Sequence, residues 1–174
     1  MAEGRPDIPA QLKRDLLVEA GHRCAIPTCR VDRPLEFEHI EDWAKVKKHE
    51  FGNMIVLCAN CHGRKGNGPG QIDRKSLRQY KANLALLNSR YGELERRLFE
   101  AFAENPNMGA VKLVGHWEIP FMYVLKDGLF VQLDARQLGG PQIYIEGMPV
   151  TQVYAITEKG REFVARWAEA RPLD

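Results

Sequence analysis

The sequence predicts an α+β fold in which two stretches of mixed strand and helix are joined through a long helical segment. Three observations carry this expectation. Two cysteine pairs, Cys24 with Cys29 and Cys58 with Cys61, bracket a strand, loop, strand, helix pattern. Residues 75–104 hold an apolar seam at steps of three and four. After a break at Asn105–Gly109, short β-rich runs return and are closed by one more helix.

Residues 8–20 read as an amphipathic helix, with Leu12, Leu16 and Leu17 on one side and Gly21 at its end. Between Pro34 and Ile40, Leu35, Phe37 and His39 alternate with Glu36 and Glu38, which is the period of a strand. Met54–Leu57 is a second β-rich run, and the residues after Cys58 suit the opening of a helix. Residues 75–104 read as helix broken near Gly92, with Leu77, Tyr80, Leu84, Leu87, Tyr91, Leu94, Leu98 and Ala101 along one seam. Such a seam serves either burial within the chain's own domain or a homodimer coiled coil through residues 77–101.

The last third has a different texture. Met122–Leu125 and Leu129–Leu133 flank Lys126, Asp127 and Gly128, a hairpin signal built on Asp-Gly. Ile143–Ile145 and Val150–Ile156 read as strands, and Thr157 as the N-cap of a helix running to about Ala170. The stretch from Tyr154 to Phe163 resembles the closing strand and helix of winged-helix regulators, without a helix-turn-helix ahead of it. His116 and Trp117 read as core or surface. This region declares no function. The expected division is a first domain over 1–81, a helical linker over 82–108 and a small α+β domain over 109–174.

Composition is that of a soluble globular chain, with 44% hydrophobic and 28% charged residues. No apolar run is long enough to span a membrane, and the first residues lack the apolar core of a secretion signal; a cytoplasmic location and no membrane partner are expected. The formal charge of +2 is unevenly spread. Residues 44–81 hold 9 Lys/Arg against Glu50 and Asp73, a net of +7. That excess suits a polyanion-binding face, or a solvated basic surface. In a reducing compartment, two close cysteine pairs favour a metal over disulfides. A structural Zn²⁺ held by Cys24, Cys29, Cys58 and Cys61 is expected, with buried thiols or a redox pair as the alternatives.

The chemistry is carried by Glu38-His39-Ile40, Asn53, Leu57-Cys58 and Cys61-His62. Phosphodiester hydrolysis needs an activated water, charge relief at the phosphate and stabilisation of the leaving oxygen. A carboxylate and an imidazole lie side by side on one strand, and a second imidazole opens the following helix. His62 directly follows Cys61, so a zinc staple would also locate that ring. Adjacent strand residues face opposite ways, so Glu38 and His39 reach one centre only where the strand ends or twists. His22 and His49 read as ordinary surface or core histidines.

These motifs resemble the HNH endonuclease family in its Cys₄ subgroup, over roughly residues 12–81. The resemblance implies a ββα-metal finger on a treble-clef-like zinc scaffold, so that residues 1–81 would be the nuclease domain. It implies His39 as general base, Asn53 as the residue that orients the loop and buttresses the base, and Glu38 and His62 as ligands of a catalytic Mg²⁺ or Mn²⁺. The cysteines would hold a separate zinc. Glu38 stands where aspartate is more usual, and the first cysteine pair is spaced by four residues. Arg64, Lys65, Arg74, Lys75 and Arg78 are the candidate contacts to the nucleic-acid backbone. The expected function is hydrolysis of DNA, RNA not being excluded, in restriction or defence against invading DNA. The alternative is a non-catalytic zinc-dependent nucleic-acid-binding protein with a regulatory C-terminal domain, which leaves Glu38, His39 and His62 without a role.

Overall fold

The computed structural model describes residues 5–29, 31–115, 117–133 and 143–173; His116 lies outside them. An α+β class holds. The chain divides into two compact units, Met1–Asn88 with Ala170–Asp174, and Ser89–Glu169. The division falls inside the stretch read from the sequence as a linker.

In the first unit, helix α1 (Ala10–Glu19) precedes strand β1 (Leu35–His39), a short helix α2 (Trp43–Val46), strand β2 (Met54–Cys58), helix α3 (Ala59–Gly63) and the long helix α4 (Arg74–Arg90). Strands β1 and β2 pair antiparallel, with Glu36 opposite Leu57 and Glu38 opposite Ile55. β2 is buried along its whole length, and its period of two sorts the side chains into two clusters. Met54 and Val56 pack with Leu16 and Ala20 of α1. Ile55 and Leu57 pack with Cys24, Cys58, Cys61, Ile72 and Leu77. The cysteines therefore belong to the main core of this unit.

In the second unit, helix α5 (Glu93–Glu104) is followed by β3 (Ala110–Val114), α6 (Met122–Lys126), β4 (Phe130–Leu133), a small ribbon of β5 (Tyr144–Ile145) and β6 (Met148–Pro149), β7 (Thr151–Ile156) and α7 (Glu158–Ala168). β7 lies between β3 and β4, antiparallel to both. Gln152, Tyr154 and Ile156 are the buried half of its alternation. Thr157 caps α7, its hydroxyl oxygen accepting from Gly160 N at 3.0 Å. Gly160 sits so close to Leu129 that an added Cβ would lie 2.0 Å from the Leu129 carbonyl oxygen.

The expected hairpin across residues 122–133 is not formed: Met122–Lys126 is helical. Asp127-Gly128 supplies a positive φ, +69° at Gly128, which a helix end can use as well as a hairpin turn. Here Leu129 N donates to Val124 O and Gly128 N to Leu125 O, the paired bonds of a Schellman cap. The other end of α6 is held by Glu95, 1% exposed. Its Oε1 accepts from Tyr123 N and Val124 N at 2.8 and 2.9 Å, and its Oε2 from Gly92 N at 2.9 Å. No local pattern at residues 122–126 announces a carboxylate supplied from 28 residues upstream.

The helical seam is interrupted at Tyr91-Gly92, where α4 ends and α5 begins. Leu77, Leu87, Tyr91 and Leu98 are buried within the chain, whereas Leu94 is exposed. Burial inside the chain's own units accounts for these seam residues. No helix among the described residues is long and apolar enough to cross a membrane.

Candidate active site and metal centre

The cysteine centre is built where β2 turns into α3. Cys58 is the N-cap of α3, its Sγ accepting from Cys61 N at 3.5 Å. Cys24 and Cys29 approach from the loop after α1. The four sulfur atoms lie within 4.8 Å of one another, with Cys29 3.8 Å from both Cys58 and Cys61. A tetrahedral ion with Zn–S bonds of about 2.3 Å has sulfur–sulfur edges of about 3.8 Å, so the donor set and its size fit zinc. Burial pushes the Cys24 thiol up to about 11 and pushes Cys61 higher still, with Cys24 adding to it. At Cys58 burial also opposes ionisation, but the Cys61 N–H and the neighbouring thiols outweigh it and lower the value. A buried group of this kind requires a cation before all four can ionise together.

The same turn places His62. Its Nε2 lies 2.7 Å from Glu38 Oε2, and its Nδ1 makes a second contact with Glu36 Oε2. The two candidate ligands of a catalytic ion are thus side by side, and Glu36, not singled out from the sequence, completes a carboxylate on each ring nitrogen. The signal was present: Glu36 and Glu38 are the i and i+2 residues of one strand face, the face on which α3 lies.

His39 ends β1 and is 2% exposed. Its Nδ1 is 3.0 Å from Arg5 Nη2 and its Nε2 3.2 Å from His49 Nδ1. His49 Nε2 lies 2.9 Å from Pro6 O, a carbonyl that can only accept, so that nitrogen carries hydrogen. With neutral rings the chain of bonds is then assigned throughout: His49 Nδ1 accepts, His39 Nε2 donates, and His39 Nδ1 accepts from Arg5. His49 also stacks on Trp43, 4.6 Å between ring centroids. Read from the sequence as an ordinary surface or core histidine, it is set against the candidate base. Burial, then the charges of Arg5 and His49, hold the His39 imidazole below its ordinary value of 6.5, against an opposing pull from Glu38. The ring is therefore kept neutral around pH 7.

Asn53 fastens the turn after His39. Its side chain accepts from Glu41 N at 2.8 Å and donates to Glu41 O at 3.1 Å, while its carbonyl accepts from Ile40 N at 2.8 Å. The basic residues are more occupied than their sequence suggested. Lys65 Nζ donates to Glu38 Oε1 (2.5 Å), His39 O (2.8 Å) and Asp42 Oδ1 (3.0 Å). Arg74 meets Ile40 O, Glu41 and Asp42, Arg78 meets Glu41, and Arg64 meets Gly70 O. Part of the +7 of residues 44–81 is therefore balanced by Glu38, Glu41 and Asp42, which lie just before that window. Lys75 and Arg78 remain exposed.

None of the curated proteins and none of the solved structures matches the chain. One family does: residues 22–68 match the HNH endonucleases. That segment begins just before Cys24 and takes in all four cysteines, Glu38, His39, Asn53 and His62. Residues 22–68 are thus similar to the HNH endonucleases and carry a cysteine cluster that could hold zinc, a likeness that suggests nuclease activity on nucleic acid.

Proposed function

We propose that the first unit is a metal-dependent endonuclease that hydrolyses DNA, with His39 as general base. The observation that carries this reading is the 2.7 Å approach of His62 Nε2 to Glu38 Oε2, one residue from a buried, neutral imidazole. A Mg²⁺ or Mn²⁺ held by Glu38 and His62 would relieve charge at the scissile phosphate and stabilise the leaving oxygen. The protein's own residues supply the rest. His39 Nδ1 has the lone pair that takes a proton from water, and His49 holds the opposite nitrogen in its protonated form. Water reaches Nδ1 once the Arg5 contact opens. Asn53 keeps the loop after His39 in place, and Lys65 holds Glu38 through its second oxygen. Arg64, Arg74, Lys75 and Arg78 are the residues we assign to the phosphate backbone, which positions substrate without reading bases. A role in defence against invading DNA is the setting we favour, by analogy with the family. A homodimer through residues 77–101 would have to use positions other than Leu77, Leu87, Tyr91 and Leu98, which are buried.

One observation favours the non-catalytic zinc-dependent binding module: both nitrogens of His39 and both oxygens of Glu38 already have partners. Nicking of supercoiled plasmid with Mg²⁺, Mn²⁺ or chelator separates the two. His39→Ala should lose cleavage by about 10²–10⁴-fold, the worth of general-base catalysis, while keeping zinc and DNA affinity. Glu38→Ala and His62→Ala should also lose it, with partial recovery in excess Mn²⁺. Cleavage by His39→Ala at the wild-type rate would refute the assignment. A wild type inert with every divalent ion would leave the binding module in its place.

A further inference from the structure

A half-turn of the His62 ring about its Cβ–Cγ bond would put a ring carbon where each nitrogen now lies without moving α3, so the cysteine staple alone leaves its orientation open. Glu36 closes that choice. We infer that Glu36 is a positioning residue for His62: it accepts the Nδ1 proton and so presents the Nε2 lone pair to Glu38 and the catalytic ion. This rests on Glu38 and His62 being the ion's ligands, as proposed above.

The argument follows from donors and acceptors. A neutral imidazole has one N–H and one lone pair, and an ionised carboxylate only accepts. With Glu36 Oε2 at Nδ1, that nitrogen is the donor. Nε2 then faces Glu38 Oε2 with a lone pair at 2.7 Å, an arrangement of two acceptors that a cation bound beside them stabilises. The roles of the two carboxylates are not interchangeable. A strand rises about 3.3 Å per residue, so Glu36 stands two residues, roughly 7 Å, further from His39 than an adjacent position would. Glu38 is next to the base and is additionally held by Lys65. The Nε2 side of the ring is thus the reacting side, and Glu36 acts through the ring. A carboxylate on the remote nitrogen of a ligating histidine fixes its tautomer and raises its basicity, and losing one typically weakens metal affinity by about 10–100-fold.

The test is Mn²⁺ binding to the zinc-loaded full-length protein, read by electron paramagnetic resonance of the free ion. Glu36→Ala should weaken Mn²⁺ binding by about 10–100-fold, and Glu36→Gln by less, because the amide oxygen still accepts the Nδ1 proton. Glu36→Ala should add nothing to His62→Ala. Its nuclease rate should recover at saturating Mn²⁺. The Glu36 side chain is 41% exposed, so zinc content and thermal transition should hold. Unchanged Mn²⁺ affinity in Glu36→Ala overturns the inference, as does an undiminished loss on the His62→Ala background. Glu36→Gln binding as poorly as Glu38→Ala would make Glu36 a direct ligand and also overturns it. If Glu38→Ala and His62→Ala lose the ion but Glu36→Ala does not, only this inference fails. If Glu38→Ala and His62→Ala bind it as wild type does, the ligand assignment beneath it falls as well.

Discussion

The first unit gathers its core around sulfur, the second around aromatic rings. In the first, Cys24, Cys58 and Cys61 are buried with Ile40, Ile55, Leu57, Ile72 and Leu77, and the aromatic Trp43 is spent beside the candidate base. In the second, Phe99 meets Tyr91 and Phe163 at 5.0–5.1 Å between centroids, Phe102 meets Phe130 and Phe121 meets Tyr154. Rings of this size bury 150–250 Å² each, enough to hold a small unit without metal. The first unit has instead given its strand ends and loops to polar residues that converge on Glu38 and His39. A zinc ion held by the four cysteines would take over the stabilising role that aromatic packing fills elsewhere.

Cys58→Ser should expose this contrast most strongly. Structural zinc contributes about 10–16 kcal/mol in small finger domains, more than the net stability of most domains of this size. The first unit should therefore unfold and become protease-sensitive, while residues 89–169 remain protected. Elemental analysis should give about one zinc per wild-type chain and none in the variant. A zinc-free protein resisting proteolysis throughout would remove the contrast.

Glu95→Ala probes the opposite side. It takes the acceptor away from the Gly92, Tyr123 and Val124 N–H groups, the last of them buried, at a cost of about 2–4 kcal/mol. The second unit's transition should fall in denaturant while zinc content stays at the wild-type level. A loss of zinc instead would show that the units do not stand separately.

Acid should give the smallest and most graded difference. The His39 value is lowered by burial, Arg5 and His49, so the neutral ring contributes stability above 6.5 that is lost as pH falls through the folded-state value. The acid limb of cleavage should accordingly lie below pH 6.5. In the second unit, the hydrogen bond from Arg90 to Asp127, 2.5 Å at its shorter arm, lowers that carboxyl below 3.8. Its contribution is present above 3.8 and is lost only below it. A cleavage profile whose acid limb sits above 6.5 would contradict the packing described around His39.

Much of the site was legible before any coordinates. The strand alternation over 35–39, the two cysteine spacings and the Cys61-His62 adjacency are local patterns, and local geometry suffices to place them. His49 was not legible. A histidine in a loop reads like any other until the chain folds back to set it against His39 and stack it on Trp43. The partners of Lys65 were not legible for a related reason: a basic residue after the site helix suggests a phosphate contact, and only folding sets it beside Glu38 and Asp42.

The sequence by itself determined the ββα order, the cysteine set and the place of His62 directly after Cys61, because each depends on spacing along a strand or across one turn. Only the tertiary structure decided that Glu36 and Glu38 grip opposite nitrogens of one ring, that Asp127-Gly128 caps a helix rather than turning a hairpin, and that Leu77, Leu87, Tyr91 and Leu98 of the helical seam are buried while Leu94 is exposed. The first two of those outcomes depend on partners 24–29 residues away, such as Glu95 for the backbone of α6. A local signal such as a positive-φ glycine or an apolar stripe fits two structures equally well, and the long-range hydrogen bond or packing partner selects between them.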